Sequence, residues 1–155
     1  MKVGIGYDVH KIVKNKKLVL GGEIVKSDFG LKGHSDADVL VHAIIDALLG
    51  ASGLGDIGTI FPDTDDKYKD IYSIKLLILV KEKLELHGYK INNIDSVVIA
   101  QKPKLFDYKK EMEKNIANAL SIDNCLVNVK ATTTEGLGFE GKKKGIAAKA
   151  IAAIE

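Results

Sequence analysis

A regularly spaced set of imidazoles and carboxylates is the first feature of this sequence that could carry chemistry. Its members lie four residues apart, in the order His34, Asp38, His42 and Asp46. This spacing puts them on one face of a predicted helix over residues 34–50, and the intervening apolar residues predict that the helix is largely buried. Because unpaired buried charge is costly, this face needs mutual hydrogen bonds, a metal or an anionic ligand.

A second pair of candidate ligands, Asp8 and His10, alternates along a predicted strand over residues 3–10, so both side chains point to one face. With one histidine of the helix, the pair would give one carboxylate and two imidazoles. Such a set leaves a coordination position open, as in catalytic sites for zinc or another divalent transition metal. The spacing alone leaves open whether His34 or His42 is the third ligand.

Polar residues also cluster where a later predicted strand ends. Hydroxyls and amides of Thr132-Thr133-Thr134 could hold phosphate oxygens, and Glu135 could bind a harder cation such as Mg²⁺. Lys102 and Lys104 follow another strand and either lie near a phosphate or belong to an exposed turn. The long glycine-rich loop over residues 53–66 is more often functional than idle in a protein of this size.

The elements that must position these residues predict an α/β protein, an α+β sandwich with helices over one face of a sheet. Apolar and alternating runs predict strands over residues 3–10, 94–100 and 126–131, and a β-hairpin around Gly21-Gly22. Helical spacing predicts helices over residues 34–50, 71–86 and 105–120. Residues 145–155 suit a helix by their alanine content and either state by their length.

The boundaries of the first helix follow from its flanking residues. Ser35 or Asp36 can cap the N-terminus, because a side-chain oxygen there accepts from a free backbone amide. Gly50 or Gly53 can end the helix. Residues 28–33 are predicted to form a loop that delivers His34 to the start of this helix.

The composition predicts one globular domain over residues 1–155. Of these 155 residues, 46% are hydrophobic and 28% are charged, and the net charge is +2. This balance does not favour nucleic-acid binding, and no apolar run approaches the length of a membrane span. One cysteine, Cys125, excludes an internal disulfide and is typical of a reducing compartment, so we expect a cytoplasmic protein.

Taken together, these stretches resemble the 2-C-methyl-D-erythritol 2,4-cyclodiphosphate synthase family of the non-mevalonate isoprenoid pathway. The matching motifs are GIGYDVH at residues 4–10, HSDADV at 34–39 with His42 and Asp46, LGA at 49–51, LGDIG at 54–58, FPDTD at 61–65, IAQKPK at 99–104 and VNVKATTTE at 127–135. They occur in the family's order over essentially the whole chain. Several motifs in order are far more specific than any one of them.

The resemblance implies an intramolecular phosphoryl transfer by a phosphorus–oxygen lyase. In 4-diphosphocytidyl-2-C-methyl-D-erythritol 2-phosphate, the 2-phosphate attacks the β-phosphorus of the diphosphate, CMP leaves, and a cyclic diphosphate remains. The reaction needs positioning and charge neutralisation rather than a covalent enzyme intermediate. This agrees with the lack of a Walker P-loop, an HExxH motif or a nucleophile motif in the sequence.

The same resemblance implies a role for each candidate ligand. The implied zinc ligands are Asp8, His10 and His42. Glu135 is expected to hold Mg²⁺ or Mn²⁺ between the two phosphates of the diphosphate. His34 and Thr133 are expected to stabilise the transition state as catalytic groups. Asp38 is expected near the substrate on a mobile stretch, and Asp46 behind the metal ligands.

Further residues are expected to bind the substrate. The residues expected to contact its sugar or polyol hydroxyls are Asp56, Gly58, Phe61 and Asp63. Ser35 is expected beside His34, and Ile57 and Asp65 are also expected to bind the substrate. The residues expected to line the cytidine pocket are Ala100, Pro103, Lys104, Leu105, Ala131 and Thr132. Phe139 and Lys142 complete the predicted substrate-binding set. Lys142 and Lys144 stand where the family often has an arginine and an acid, and a lysine cannot copy the bidentate contact of arginine.

The resemblance also implies a homotrimer, in which the cytidine and metal halves of each active site come from different subunits. The family's last segment is a strand, so residues 145–154 are predicted as a strand against their alanine propensity. The expected architecture is therefore a mixed four-stranded sheet covered on one face by three helices, plus a small β-hairpin.

Two other functions fit the same residues. A zinc-dependent phosphoester hydrolase would use the three ligands to activate water, and would release CMP together with an open phosphate. A non-catalytic, nucleotide-binding trimer would hold its metal for structure alone. The phosphorus product separates the first alternative from the lyase, and removal of the metal separates the second.

Overall fold

The chain folds into a mixed β-sheet with helices packed on one face, in a computed structural model that describes residues 1–62, 64–68 and 70–155. Within these residues the strands are β1 (Lys2–Lys14), β2 (Leu18–Leu20), β3 (Glu23–Val25), β4 (Phe29–Leu31), β5 (Ile91–Ile99), β6 (Val127–Thr132) and β7 (Gly145–Ile154). The helices are α1 (Val39–Ser52), α2 (Ile57–Ile60), α3 (Ser73–Leu86), α4 (Lys109–Leu120) and α5 (Gly138–Gly141). Short 3₁₀ turns cover Asp66–Tyr68, Phe106–Tyr108 and Asn124–Leu126.

The main sheet has five strands in the order β4-β1-β7-β5-β6. Strands β5 and β6 are parallel, whereas the other neighbouring pairs are antiparallel. The mixed sheet is therefore confirmed, and so is the separate hairpin, which β2 and β3 form as a second, two-stranded sheet.

The predicted number of four strands in the main sheet is wrong, because Phe29–Leu31 adds a fifth. These residues lie within the segment predicted as a loop, and they pair with Ile12, Val13 and Lys14 at the far end of β1. Strand β1 runs four residues beyond its predicted end and so offers backbone groups for pairing. Three residues around a central glycine are too short to show a strand period, so only the partner strand reveals this one.

The last segment is a strand, as the resemblance implies. Residues Gly145–Ile154 pair with β1 on one side and with β5 on the other, which makes β7 the central strand of the sheet. Two complete ladders of backbone hydrogen bonds outweigh the weak helix preference of alanine. The alanines Ala148, Ala150 and Ala152 are almost completely buried.

Strand β1 and helix α1 pack so closely that their backbones are in contact. A Cβ atom on Gly4 would lie 2.0 Å from the carbonyl oxygen of Ala47, and one on Gly6 would lie 1.9 Å from that of Ala43. Neither glycine could therefore carry a side chain without moving the helix. The small residues of both elements permit the close contact, and the larger side chains of α1 fill the core around it.

Helix α1 begins later than predicted. Asp38 caps it, since its side chain accepts a hydrogen bond from the amide of Val41, and Ala37 has a φ of 59°, which a continuing helix does not allow. The predicted caps Ser35 and Asp36 are thus wrong, whereas Gly53 ends the helix in the left-handed conformation as predicted.

The late start of α1 also breaks the predicted row of four side chains. His42 and Asp46 lie within the helix, but His34 and Asp38 precede it. The other two long helices, α3 and α4, likewise begin two and four residues after the predicted positions, at Ser73 and Lys109. Among the described residues, no helix combines the length and the apolar character needed to cross a bilayer.

A methyl group at Gly6 should separate α1 from β1. With Gly6→Ala, the new Cβ would lie 1.9 Å from the Ala43 oxygen, and we expect the free energy of unfolding to fall by about 1–3 kcal/mol or more. The matched control is Gly50→Ala, where the new Cβ lies 3.9 Å from its nearest neighbour and alanine favours helix by up to about 1 kcal/mol. Denaturant unfolding compares the two, and wild-type stability of Gly6→Ala would contradict the prediction.

Candidate metal centre and substrate pocket

Asp8, His10 and His42 converge on one point in the structure. Asp8 Oδ2 lies 3.0 Å from His10 Nε2 and 3.0 Å from His42 Nδ1, and the two nitrogens are 3.1 Å apart. The three possible ligand atoms all lie within 4.8 Å of one another. The triad therefore fits a divalent metal ion, and its second imidazole belongs to His42 rather than His34.

The triad follows from the close packing of β1 on α1. Gly4, Gly6, Asp8 and His10 occupy alternate positions and so share one face of β1. The first two lie against the helix backbone, and the next two continue the same row with ligand side chains. On the helix, the carbonyl group of Ala43 lies against Gly6. His42 is the preceding residue of the helix, and its ring reaches Asp8.

The outer nitrogen of each imidazole has a hydrogen-bond partner of its own. His10 Nδ1 lies 2.9 Å from the carbonyl oxygen of Lys32, which can only accept a hydrogen bond, so this nitrogen donates and Nε2 keeps its lone pair for a metal. His42 Nε2 lies 2.8 Å from Ser73 Oγ and 3.2 Å from Ser35 Oγ. Such outer contacts orient a ligand ring and set its tautomer.

The charges of the triad also suit a cation. Burial disfavours the charged form of Asp8, but hydrogen bonds from His10 and His42 outweigh it and hold the pKa of this carboxyl well below its usual range. Burial likewise acts to lower the pKa of His10, yet the hydrogen bond and charge of Asp8 raise this pKa above its usual value. A negative carboxylate thus lies between two imidazoles, and a metal ion would replace the protons that they share.

A cavity of about 400 Å³ opens beside the triad. Its lining includes the three ligands and five residues predicted to act on the substrate, namely His34, Ser35, Ile57, Gly58 and Phe61. The ring of Phe61 is buried edge-on against Tyr68, with ring centres 5.2 Å apart. The structure thus brings these five residues together around the candidate metal site.

His34 is the unusual residue of this cavity. Within residues 1–62, 64–68 and 70–155, its Nε2 is the buried side-chain nitrogen that has no hydrogen-bond partner. An unpaired buried nitrogen is costly, so a ligand in the cavity would relieve the cost by accepting or donating a hydrogen bond there. The backbone of His34 is fixed, since its carbonyl oxygen accepts from the amide of Asp70.

The loop beyond α1 is held by carboxylates. Asp46 accepts a hydrogen bond from the amide of Ile57 at 2.8 Å, and Asp56 caps α2 by accepting from the amide and the hydroxyl of Thr59. Burial raises the pKa of Asp46, although the amide of Ile57 opposes this shift. Asp46 therefore supports the cavity wall behind the ligands.

Two predicted substrate contacts lie further along this loop. Asp65 is exposed, its side chain accepts from the amide of Lys67 in a turn, and it is not among the described residues that line the cavity beside the triad. Asp63 lies outside the described residues. The contacts of both residues with a substrate stay predictions.

Asp38 is a buried residue between the hairpin and α1. Its side chain is fully buried and accepts hydrogen bonds from the amides of Gly21, Gly22 and Val41 at 2.7–3.1 Å. Burial raises its pKa to about 6, and the nearby Asp36 adds to this shift. Asp38 therefore joins the tip of the hairpin to the start of α1, and its expected place near a substrate stays a prediction.

A second cavity, of about 230 Å³, lies where β5 and β6 end. All six residues predicted for the cytidine pocket line it, namely Ala100, Pro103, Lys104, Leu105, Ala131 and Thr132. Four further residues, Gln101, Phe106, Lys109 and Thr133, complete its lining. The structure therefore brings this predicted set together around one opening, with two lysines beside it.

Thr133 and Glu135 form a small network next to this second cavity. The hydroxyl of Thr133 donates to Glu135 Oε1 at 3.0 Å and accepts from the Glu135 amide at 3.3 Å. Glu135 has a φ of 54°, in the left-handed region that few side chains adopt. Gln101 secures the turn, since its side-chain oxygen accepts from the amide of Gly136 at 3.2 Å.

The two cavities lie far apart within one chain. Asp8 pairs with Ala148, Ala148 with Val98, and Val98 with Ala131, so Asp8 and Ala131 are three strand spacings apart. At about 4.8 Å per spacing this separation is about 14 Å across the sheet. Within one chain, the candidate metal ligand Asp8 and the second-cavity residue Ala131 are therefore separated by three strand spacings.

Phe139 and Lys142 lie in and just after α5, which packs beside the start of β7. The ring of Phe139 lies beside Gly145, where a Cβ would be 3.1 Å away. Both side chains are exposed, and neither residue is among those that line the two cavities. Their contact with a substrate stays a prediction.

Sequence reasoning missed several residues that hold the site. Ser73 and Asp36 lie behind His42, the carbonyl group of Lys32 supports His10, and Gln101 supports the turn after β6. Asp36 lies next to a predicted ligand row, but its use depends on Ser73, which is distant in sequence. The role of a backbone carbonyl cannot be predicted from the residue type, because every residue has one.

Comparison with known proteins gives a consistent result. The model of the YgbB family matches residues 1–155. A curated relative from Desulforamulus reducens is 58% identical over 155 residues, which cover 100% of this chain and 99% of the relative. One from Clostridium acetobutylicum is 59% identical over 151 residues, or 97% of each chain. Both relatives are named 2-C-methyl-D-erythritol 2,4-cyclodiphosphate synthase, so the family predicted from the motifs is confirmed.

Solved structures give the same similarity. The bifunctional IspDF from Campylobacter jejuni has a TM-score of 0.95 and 48% identity, and the match covers 99% of this chain. This chain spans only 42% of that protein. A complex of IspF from Plasmodium falciparum with CDP has a TM-score of 0.85 and 38% identity, covering 99% of this chain and 94% of the other.

The stability of the metal-free protein should depend on pH through His10 and Asp8. Because the folded-state pKa of His10 is raised from 6.5, its contribution is complete below that value and is lost as the pH rises through the raised pKa. The contribution of Asp8, whose pKa is lowered from 3.8, is present above that value and is lost as the pH falls through the lowered pKa. Denaturant unfolding with a chelator between about pH 5 and 8 should therefore show falling stability.

Asp8→Asn should flatten this pH dependence, because an amide does not hold a proton on His10. The matched control is Asp95→Asn, which changes a carboxylate that pairs with Lys130 away from the triad. An unchanged pH profile in Asp8→Asn would contradict the assignment.

Proposed function

This chain belongs to the YgbB family, and we propose that it converts 4-diphosphocytidyl-2-C-methyl-D-erythritol 2-phosphate to 2-C-methyl-D-erythritol 2,4-cyclodiphosphate and CMP. It is a phosphorus–oxygen lyase that acts in isoprenoid biosynthesis by the non-mevalonate route. The observation that carries the proposal is the convergence of Asp8, His10 and His42 in the lining of a cavity that His34 and Ser35 also line. Residues 1–155 act as one catalytic domain, and the single cysteine favours the cytoplasm.

The metal at the triad is zinc in this proposal. One carboxylate and two imidazoles form the open ligand set that zinc takes in catalytic sites. Zinc at this position would polarise the attacked β-phosphate as a Lewis acid. The chain itself supplies the orientation: Lys32 and Ser73 fix the outer nitrogens of the rings, so that His10 Nε2 and His42 Nδ1 face the same point.

His34 and Ser35 act on the reacting phosphates from the cavity wall. The unpartnered Nε2 of His34 gains a hydrogen bond when a phosphate oxygen enters the cavity. Because this donor is already in place, little reorganisation is needed when negative charge develops in the transition state. Ile57, Gly58 and Phe61 give the same cavity a wall for the polyol carbons and hydroxyls.

The second cavity holds the cytidine diphosphate. Lys104 and Lys109 bring positive charge to its lining, and Ala100, Leu105 and Ala131 provide apolar surface for a base. Structures of two relatives are described as complexes with CDP, which supports a nucleotide diphosphate as the ligand class.

Thr133 and Glu135 complete the phosphate end of that cavity. Thr133 is a second group that stabilises the transition state, and Glu135 would hold Mg²⁺ or Mn²⁺, which would neutralise charge on the diphosphate. A hard cation of this kind prefers carboxylate and phosphate oxygens. The hydrogen bonds between Thr133 and Glu135 support this role, since they place the hydroxyl and the carboxylate side by side.

A homotrimer joins the two halves of the site. One face of the sheet carries apolar side chains that are 41–72% exposed in the single chain, namely Val3, Ile5, Tyr7, Val9 and Ile151. A contiguous apolar face of this kind marks an interface. Asp8 and Ala131 of one chain are about 14 Å apart across the sheet, and in this proposal a neighbouring subunit brings its second cavity to the metal centre.

The reaction is tested with the cytidylyl substrate and Mg²⁺, followed by phosphorus NMR. We expect resonances of a cyclic diphosphate together with CMP, whereas CMP with an open phosphate would instead indicate a hydrolase.

His42→Ala should lose stoichiometric zinc and lower the rate by at least about 10²-fold, because it removes a ligand. His87→Ala, which removes an exposed imidazole away from the triad, is the control. Full turnover after complete zinc removal would contradict the metal assignment.

The shared site is tested by mixing two inactive variants. Asp8→Asn disables the metal half, and Thr133→Val disables the phosphate half, so each pure trimer should be inactive. Mixed trimers, made by co-expression, should regain activity because some interfaces pair an intact metal half with an intact second cavity. Native mass spectrometry confirms the mixed assembly. Mixed trimers that stay as inactive as the parents would contradict a site built from two subunits.

A further inference from the structure

A chain of hydrogen bonds leads away from the metal centre through His42. Its Nε2 lies 2.8 Å from the hydroxyl oxygen of Ser73, and this hydroxyl donates to Asp36 Oδ1 at 2.5 Å. The amide of Ser73 donates to the other oxygen of Asp36 at 3.1 Å. We propose that Ser73 and Asp36 are positioning residues that keep the His42 proton on Nε2 and the lone pair on Nδ1, toward Asp8. This inference rests on the metal site proposed above.

The direction of each hydrogen bond follows from counting protons. An ionised carboxylate can only accept, so the single hydroxyl proton of Ser73 is given to Asp36. The Ser73 oxygen then has only lone pairs to offer to His42, and Nε2 must be the donor. A neutral imidazole carries one ring proton, so Nδ1 is left with the lone pair that a metal needs.

The negative charge of Asp36 sets the direction of both hydrogen bonds, from His42 to Ser73 and from Ser73 to Asp36. If Asp36 were a neutral amide, Ser73 could turn its proton toward Nε2, and the ring would then carry its proton on Nδ1 and repel a cation. Ser73 is fully buried, so water does not compete for its hydroxyl. Ser35 lies further from Nε2, at 3.2 Å, and its oxygen already accepts from the amide of Ala37.

The other imidazole ligand shows the same principle by a different route. His10 Nδ1 donates to the carbonyl oxygen of Lys32, a group that can only accept. Each histidine thus places its outer nitrogen against a fixed acceptor, so that its inner nitrogen can bind a metal ion beside Asp8. Outer contacts of this kind typically change metal affinity about 10–100-fold when they are removed.

The hydrogen-bond chain from His42 through Ser73 to Asp36, here called the relay, also explains how helix α3 contributes to the metal centre. Ser73 is the first residue of α3, and Asp36 lies in the segment before α1, so the two residues join separate elements behind His42. The hydrogen bond between Asp36 and the Ser73 amide fixes the start of α3 independently of the hydroxyl. Removing only the hydroxyl therefore tests the relay without removing that backbone contact.

The test compares Ser73→Ala with a matched control, Ser96→Ala, which removes another buried hydroxyl that donates to a backbone carbonyl away from the site. Zinc affinity is measured by competition with a coloured chelator. We expect Ser73→Ala to bind zinc about 10–100-fold more weakly than wild type. Ser96→Ala should match wild-type affinity. Wild-type affinity in Ser73→Ala would overturn the relay.

A spectroscopic readout separates positioning from a loss of fold. In the zinc-loaded wild type, the Nε2 proton of His42 should give a protected resonance in histidine-selective ¹⁵N NMR, and Ser73→Ala should lose it to exchange with water. An unchanged Nε2 resonance in Ser73→Ala would overturn the relay even if zinc affinity fell. A wild-type protein that binds no zinc would overturn both this inference and the proposed metal site.

A second variant keeps the inference testable if Ser73→Ala does not fold. Asp36→Asn preserves the shape but removes the charge that orients the hydroxyl, so it should also weaken zinc binding by about 10–100-fold and shift the His42 ¹⁵N resonances. Its control is Asp95→Asn, which neutralises a carboxylate that is hydrogen-bonded to Lys130 and Asn128. Unchanged zinc affinity in Asp36→Asn would overturn the role of the charge.

Discussion

The candidate metal centre depends on the contact between the backbones of β1 and α1. Gly4 and Gly6 leave room for the carbonyl oxygens of Ala47 and Ala43, and any larger residue would push the helix away. The same face of β1 continues with Asp8 and His10, so the depth of this packing sets how far His42 lies from them. A shift of about 1 Å would already spoil coordination geometry, which tolerates only small errors in ligand distance.

Around this contact, polar groups are arranged so that the buried charges have partners. Asp8 lies between two imidazoles, Asp38 accepts three backbone amides, and Asp46 holds the loop that carries Ile57. The exception is His34 Nε2, which has no partner within the described part of the chain. A buried polar group without a hydrogen-bond partner lowers stability. At a cavity wall, an anionic substrate that binds there would supply the missing partner.

Residue types and local spacing allowed much of this protein to be predicted. The candidate ligands, the hairpin, three helices and most strands followed from periodicity, and the ordered motifs identified the family. The misplaced start of α1 shows the limit, since His34 fits a helical row by spacing, yet Asp38 caps the helix and Ala37 turns the backbone away. Strand Phe29–Leu31 shows a second limit, because three residues form a strand only when a partner edge is present.

The sequence by itself determined which chemical groups were available and in what order. The spacing left His34 and His42 open and the family resemblance implied His42, whose ring the structure places at Asp8. Only the tertiary structure decided that Ser73 lies behind that ring and that Ala131 lies three strands away. Local spacing constrains neighbours within one element, because each helix or strand has a fixed period. Contacts between elements depend instead on packing and strand pairing, which join residues that no local pattern connects.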